Sequence, residues 1–238
     1  MSGWLSHLKV LDLSHSITGP FCTKLLAQLG AEVVKLEPPG GGDRARSQAP
    51  FFLDRPHKER SGLFLYLSAG KKSATLDLQT PSGARILKEL AKRADVLVEG
   101  FAPGTLVGLG LSYDVLSEIN PGLVMASITE FGQDGPYRDY KANELVQFAL
   151  SGLMYPTGFP DREPIQSGGY LPQYKAGLVA AIGILAALQW RDINGVGQHL
   201  DISMLEVAAN FLETTPILYS YQGIVRGRTG STLTPPTP

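Results

Sequence analysis

Residues 8–46, LKVLDLSHSITGPFCTKLLAQLGAEVVKLEPPGGGDRAR, read in order as a strand, a turn, a helix, a second strand and a glycine-rich loop. The apolar run Leu8, Val10, Leu11, Leu13 has the length of a buried strand. Gly19-Pro20 then opens a helix, where a missing N–H costs nothing because first-turn donors have no intrahelical acceptor. Thr18 is the expected N-cap. Phe21, Cys22, Leu25, Leu26 and Leu29 recur at helical spacing and are expected to face the sheet; Gly30 ends the helix, and 31–37 form the second strand. Strands joined through a helix run parallel, so the prediction is α/β, with a Rossmann-like parallel sheet and flanking helices.

The turn after the first strand of such a unit, backed by a helix N-terminus, is a ready anion site. The dinucleotide fingerprint is nevertheless missing. The turn 14–20, SHSITGP, holds a single glycine, and Pro20 removes an N–H that a pyrophosphate would use. Glu37 ends the second strand where a ribose-binding acid would stand, but that position alone does not make a nicotinamide site.

The alternation of strand and helix continues. The predicted strands are 72–78, 95–99, 123–129 and 199–204. The predicted helices are 81–94, capped by Thr80 and packed through Ile86, Leu87, Leu90, Ala91 and Ala94, then the short turns 104–110 and 113–120, then 144–151, 173–190 and 205–221, the last with a kink at Pro216. Gly40-Gly41-Gly42-Asp43 reads as a mobile loop and 47–61 as a surface excursion. Residues 1–222 make one large domain, and 223–238, GIVRGRTGSTLTPPTP, a linker or the start of a small domain. The apolar run 176–188 is too short to span a bilayer and reads as a buried helix.

With 238 residues, 43% hydrophobic, the chain can bury a large core. Its 21 basic and 22 acidic residues argue against a nucleic-acid surface, so the partner is expected to be a small molecule. Cys22 alone excludes an intramolecular disulfide framework and is expected in the core; without a leader-like start, the cytoplasm is the expected compartment. His57 and His199 lack partners at ligand spacing, so no metal is expected; His7 reads as exposed, while Trp4, Trp190, Tyr219 and Tyr221 are expected in the core, with a subunit interface as the alternative.

Residues 8–46, followed by Lys71-Lys72-Ser73, Leu76-Asp77-Leu78, DVLVEGFAPGTLVGLGLSYDVLSEINPGLVMASITEFGQDGPY, LSGLMYPTGFPDREP and AGLVAAIGILAALQWRDINGVGQHLDISMLE, resemble in order the family III CoA-transferases. That group includes formyl-CoA, carnitine and benzylsuccinate CoA-transferases and the α-methylacyl-CoA racemases. The resemblance implies a large Rossmann-like domain, a smaller domain beyond it, and two full-length chains interlocked as a dimer. It also implies that CoA or acyl-CoA and a small carboxylic acid are the ligands, with no metal and no membrane. His15, Leu76, Phe101 and Lys141 match residues that line the family's CoA site, and Arg46 completes its glycine-rich loop motif. Where formyl-CoA transferases place polar or cationic contacts, this chain has Ile17, Pro38, Gln79, Gly100 and Gly108.

In the family an aspartate attacks the acyl-CoA thioester, and CoA passes to the acceptor acid through an aspartyl thioester. The matching residue here is Gln173, and an amide cannot act as that carboxylate. Glu144 matches an active-site glutamate, and also stands where a first-turn acid favours a helix. Asp161 and Glu163 read as a solvated turn, and with Asn143 and Gln173 at the racemase positions neither proton carrier is present. Three readings follow: a transferase component lacking the nucleophile, as homodimer or as heterodimer with an aspartate-bearing paralogue; an inactive CoA-binding or regulatory protein; or a scaffold subunit of an interlocked oligomer.

Overall fold

The computed structural model describes residues 3–230. The parallel strands β1 (Lys9–Asp12), β2 (Glu32–Glu37), β3 (Lys72–Thr75), β4 (Val96–Glu99), β5 (Val124–Thr129) and β6 (His199–Ser203) form one sheet in the order β3-β2-β1-β4-β5-β6. Around it lie α1 (Thr18–Gln28), α2 (Gly62–Ser68), α3 (Pro81–Ala91), α4 (Thr105–Gly108), α5 (Tyr113–Ile119), α6 (Glu144–Leu150), α7 (Leu171–Asn194), α8 (Met204–Asn210) and α9 (Thr215–Gln222). Leu11 pairs with Val34 on one side and Leu97 on the other, so the winding reverses between β1 and β4. In an open parallel sheet that reversal leaves a crevice at the strands' C-terminal ends, where ligands bind.

Successive strand residues point to opposite faces, which assigns each to one of two cores. Val10, Val33, Val98 and Ala126 pack with Cys22 and Leu26 of α1 and with Ala180 and Ile184 of α7. Leu11, Leu13, Leu97 and Met125 pack beneath Leu87 of α3, Leu106 of α4 and Leu116 of α5. Burial on both faces explains why β4 and β5 read as nearly unbroken apolar runs. Gly177 lets α7 close onto α1, since a Cβ there would lie 2.5 Å from the Thr18 carbonyl oxygen. Its neighbours Phe21 and Tyr174 meet edge to face at 4.9 Å. These contacts set the first turn of α7 beside that of α1.

Several expectations change. Thr18 is the first helical residue, with Ile17 in the capping position and no side-chain cap; the Thr18 hydroxyl donates to Met204 Sδ at 3.2 Å instead. Leu29, Ile86 and Leu90 are exposed, because each helix buries a narrower stripe than its apolar spacing implies. The strand predicted over 72–78 stops at Thr75, and helix α2 was not predicted at all. The helix predicted over 205–221 is two helices, separated near Glu213 (φ +51°), so Pro216 starts α9 rather than kinking one long helix. Trp4, Trp190, Tyr219 and Tyr221 are exposed, not core.

Helix α7 runs longer than predicted, 24 residues, long and apolar enough to cross a membrane by length and composition alone. Its Ala176, Ala180, Ile184 and Leu188 are buried in the core. Cys22 is buried as expected, and burial pushes its thiol up. The proposed tail runs past the end of α9 at Gln222, and its residues 231–238 lie outside the described residues.

Candidate functional site

The crevice floor is a set of buried charges. Asp12, at the end of β1, accepts from the Ser14 backbone N–H at 3.0 Å, from the Thr23 hydroxyl at 2.7 Å and from Lys71 at 2.9 Å; the Ser14 hydroxyl reaches the same carboxylate. Lys35, from β2, donates to the Ser14 carbonyl at 2.8 Å and pairs with Asp43 at 2.7 Å. Burial alone would raise the Asp12 carboxyl, yet Lys35, Lys71 and the two hydroxyls together hold it far below the ordinary range. Asp43 Oδ1 accepts from Ser16 N at 3.0 Å and Ala45 N at 2.8 Å. Ser16 therefore stays at φ +67°, and the turn carrying His15 is fixed. Asp43 thus anchors the glycine loop that the sequence reading left mobile.

Arg46 is directed into the protein. Its guanidinium grips Glu37 through Nε at 2.7 Å and Nη2 at 2.8 Å, reaches Glu59 at 2.7 Å, and lies 3.7 Å from the Phe64 ring centroid. Glu37 also accepts from Asp43 N and the Ser73 hydroxyl. Burial would raise the Glu37 carboxyl, but these donors bring it down to about 2. Both Glu37 oxygens, and the Nε, Nη1 and Nη2 of Arg46, thus have partners within the chain.

His15 and Phe101 meet at the winding reversal, rings 5.8 Å apart and nearly perpendicular. Phe101 is held by its backbone N–H, which donates to Glu99 Oε2 at 2.7 Å. Burial holds His15 below the usual imidazole value, and its Nδ1 is buried with no partner among the described residues. Leu76 follows β3, tied by its N–H to the Glu37 carbonyl at 2.9 Å and packed against the α3 side of the core. Lys141 is exposed, in the loop ahead of α6.

Glu144 and Gln173 meet across the N-termini of α6 and α7, Gln173 Nε2 donating to Glu144 Oε2 at 3.0 Å. Asn143 caps α6 through Val146 N at 3.0 Å, fixing where Glu144 emerges. Gln147, one turn on, donates to the Glu130 carboxylate at 3.0 Å and the Glu130 carbonyl at 2.9 Å. Burial pushes the Glu144 carboxyl up, Gln173 offsets part of that, and Glu130 adds to it. Glu144 Oε1 and Gln147 Oε1 are buried with no donor among the described residues. Glu130 and Gln147 escaped the sequence reading, although the i, i+3 spacing from Glu144 places Gln147 on the same helical face. Among the described residues no group of acids, histidines or cysteines could hold a metal ion.

Residues 5–237 match the family model for CoA-transferase family III. The chain is 40% identical to the succinyl-CoA–D-citramalate CoA-transferase of Chloroflexus aurantiacus over 96% of its length and 56% of that protein's. It is also 40% identical to the succinyl-CoA–L-malate CoA-transferase beta subunit of the same organism, over 95% of its length and 55% of that protein's. The crystal structure of a CAIB/BAIF family protein from Brucella suis superposes with a TM-score of 0.90 at 35% identity, covering 97% of this chain and 61% of that one. The chain therefore spans about half the length of the curated relatives it matches. The six-stranded parallel sheet is the fold of that structural neighbour, and the chain belongs to CoA-transferase family III.

Proposed function

We propose that the chain is a component of a CoA-transferase that moves CoA between an acyl-CoA and a small carboxylic acid in the cytoplasm, and that it is the subunit without the nucleophile. The observation that carries this reading is Gln173, which donates its amide to Glu144 where the family resemblance puts an aspartate. In that chemistry a carboxylate attacks the thioester carbonyl, expelling CoA thiolate and leaving a mixed anhydride. The thiolate then attacks the enzyme's own carbonyl, releasing the first acid and leaving an enzyme thioester. The acceptor acid reverses both steps. A neutral amide cannot form the anhydride, so the aspartate comes from a paralogous chain within an interlocked pair.

His15, Phe101, Leu76 and Lys141 are the CoA-facing residues in this reading. Arg46 supports them indirectly by holding Glu37 and the glycine loop. That one relative is named as a beta subunit favours a heteromer. The purified chain alone is expected to transfer no CoA from succinyl-CoA to a panel of carboxylates, and to gain activity when its aspartate-bearing partner is added. Robust turnover by the chain alone would refute it.

A further inference from the structure

The loop between β5 and α6 carries two hydrogen-bond donors that the protein does not use. Gln133 Nε2 and Arg138 Nε are both buried with no hydrogen-bond partner among the described residues. Among the described residues the Arg138 guanidinium has one ion contact, to Asp139 at 3.7 Å; its side chain is 40% exposed while Nε is buried. A guanidinium has five N–H groups and no acceptor, and leaving such donors unpaired costs free energy unless something else accepts from them.

Arg138 lies against the segment that carries Phe101. Gly104 has φ +82°, and a Cβ there would come within 3.3 Å of Arg138 Nη2, so the missing side chain is what lets the guanidinium approach that backbone. Beside it Phe131, Tyr137 and Tyr140 form a ring cluster with centroids 5.3–6.3 Å apart, and Tyr137 and Tyr140 are 52% and 61% exposed. Gly108, on the same β4–α4 segment, has no neighbour within 4 Å of a built Cβ and supplies no cation. A guanidinium with an unpaired buried N–H, next to exposed aromatic faces, matches a nucleotide phosphate with its base.

We propose that Arg138, assisted by Gln133, holds a phosphate at the nucleotide end of a CoA molecule seated at the His15–Phe101 crevice. The cationic contact thus comes from the β5–α6 loop. This assignment rests on the CoA-binding reading above.

Calorimetric titration of the purified protein with CoA tests it. Arg138→Ala is expected to weaken CoA on the order of tenfold, the usual loss for one charge-assisted contact, with Arg138→Lys recovering most of it and Gln133→Leu losing a few-fold. Adenosine 3′,5′-bisphosphate should compete with CoA and lose the same factor in Arg138→Ala, while inorganic phosphate should not compete. Thermal unfolding of each variant separates a folding defect from a binding one. CoA affinity within twofold of wild type in a folded Arg138→Ala protein would overturn this assignment alone. Failure of the wild type to bind CoA would overturn it together with the reading on which it rests.

Discussion

Beneath the β1–α1 turn, Asp12, Lys35, Lys71 and Asp43 are buried with each charge set against an opposite one; hydroxyls and backbone groups add hydrogen bonds, and Asp43 Oδ2, which accepts none among the described residues, has the Lys35 ammonium at 2.7 Å. Between α6 and α7 the polar group is built differently: among the described residues Glu130 and Glu144 share hydrogen bonds with two amides and pair with no cation, and two buried oxygens lack donors. Both lie against first-turn residues of neighbouring helices. The first is closed and orients its neighbours; the second keeps unused hydrogen-bonding capacity, as a group that meets a ligand does.

The largest effect should come from opening the closed cluster. Asp12→Ala leaves Lys35 and Lys71 buried with too little compensation and is expected to cost about 3–5 kcal/mol in urea unfolding. A loss under about 1 kcal/mol would mean that the cluster relaxes with water and that the contrast is false.

Acid should separate the two regions next. Glu37 has its folded value depressed from 4.5 to about 2, and Asp12 is depressed too, so their contribution is fully present above the ordinary carboxylate range and is lost progressively as pH falls from there through the folded values. Glu144 and Glu130 are shifted upward, so their burial costs stability at neutral pH and costs less as they take up protons. The melting temperature should therefore fall between pH 5 and 3 in wild type. Glu37→Gln should show a lower but flatter profile, and an unchanged acid slope in that variant would sink the assignment.

Gln173→Asp sharpens the comparison in the other direction. It places a second carboxylate where an amide now donates to Glu144 at 3.0 Å, and two such groups resist ionising together. A loss of about 1–2 kcal/mol at pH 7 is expected, shrinking as the pH is lowered and one of the pair is protonated. In the assembled protein the same variant should accumulate a hydroxylamine-labile CoA adduct, seen by intact-mass spectrometry. A pH profile identical to wild type would mean that the two side chains do not face each other in solution. The smallest effect concerns exposed Lys141: Lys141→Ala should leave stability within about 0.5 kcal/mol of wild type while weakening CoA binding, and unchanged affinity would remove it from the site.

The βαβ unit, the positions of the later strands along the chain and the family were legible because apolar runs of strand length and helical periodicity are local signals. Gln173 stood out for the same reason, as one position in a stretch that resembles a family motif. Solvent exposure at Ile86, Leu90 and Trp190 was not legible, since a helix's apolar stripe says what it is able to bury and not what the rest of the fold brings against it. Arg46 shows the limit within the site: its motif placed it among ligand contacts, and only the arrival of Glu37 and Glu59 from separate segments shows its guanidinium already committed.

From the sequence alone come the six strands, most of the helices, their parallel connection and the amide at position 173, because each is written in residues a few places apart; α2 and the break between α8 and α9 do not. The tertiary structure alone decided that Lys35 and Lys71 converge on Asp12 from 23 and 59 positions away, that Glu144 receives the Gln173 amide across 29, and that Arg138 comes to rest against Gly104. Such pairings depend on how sheet and helices pack, and a buried charge or amide takes its role from the partner that packing delivers.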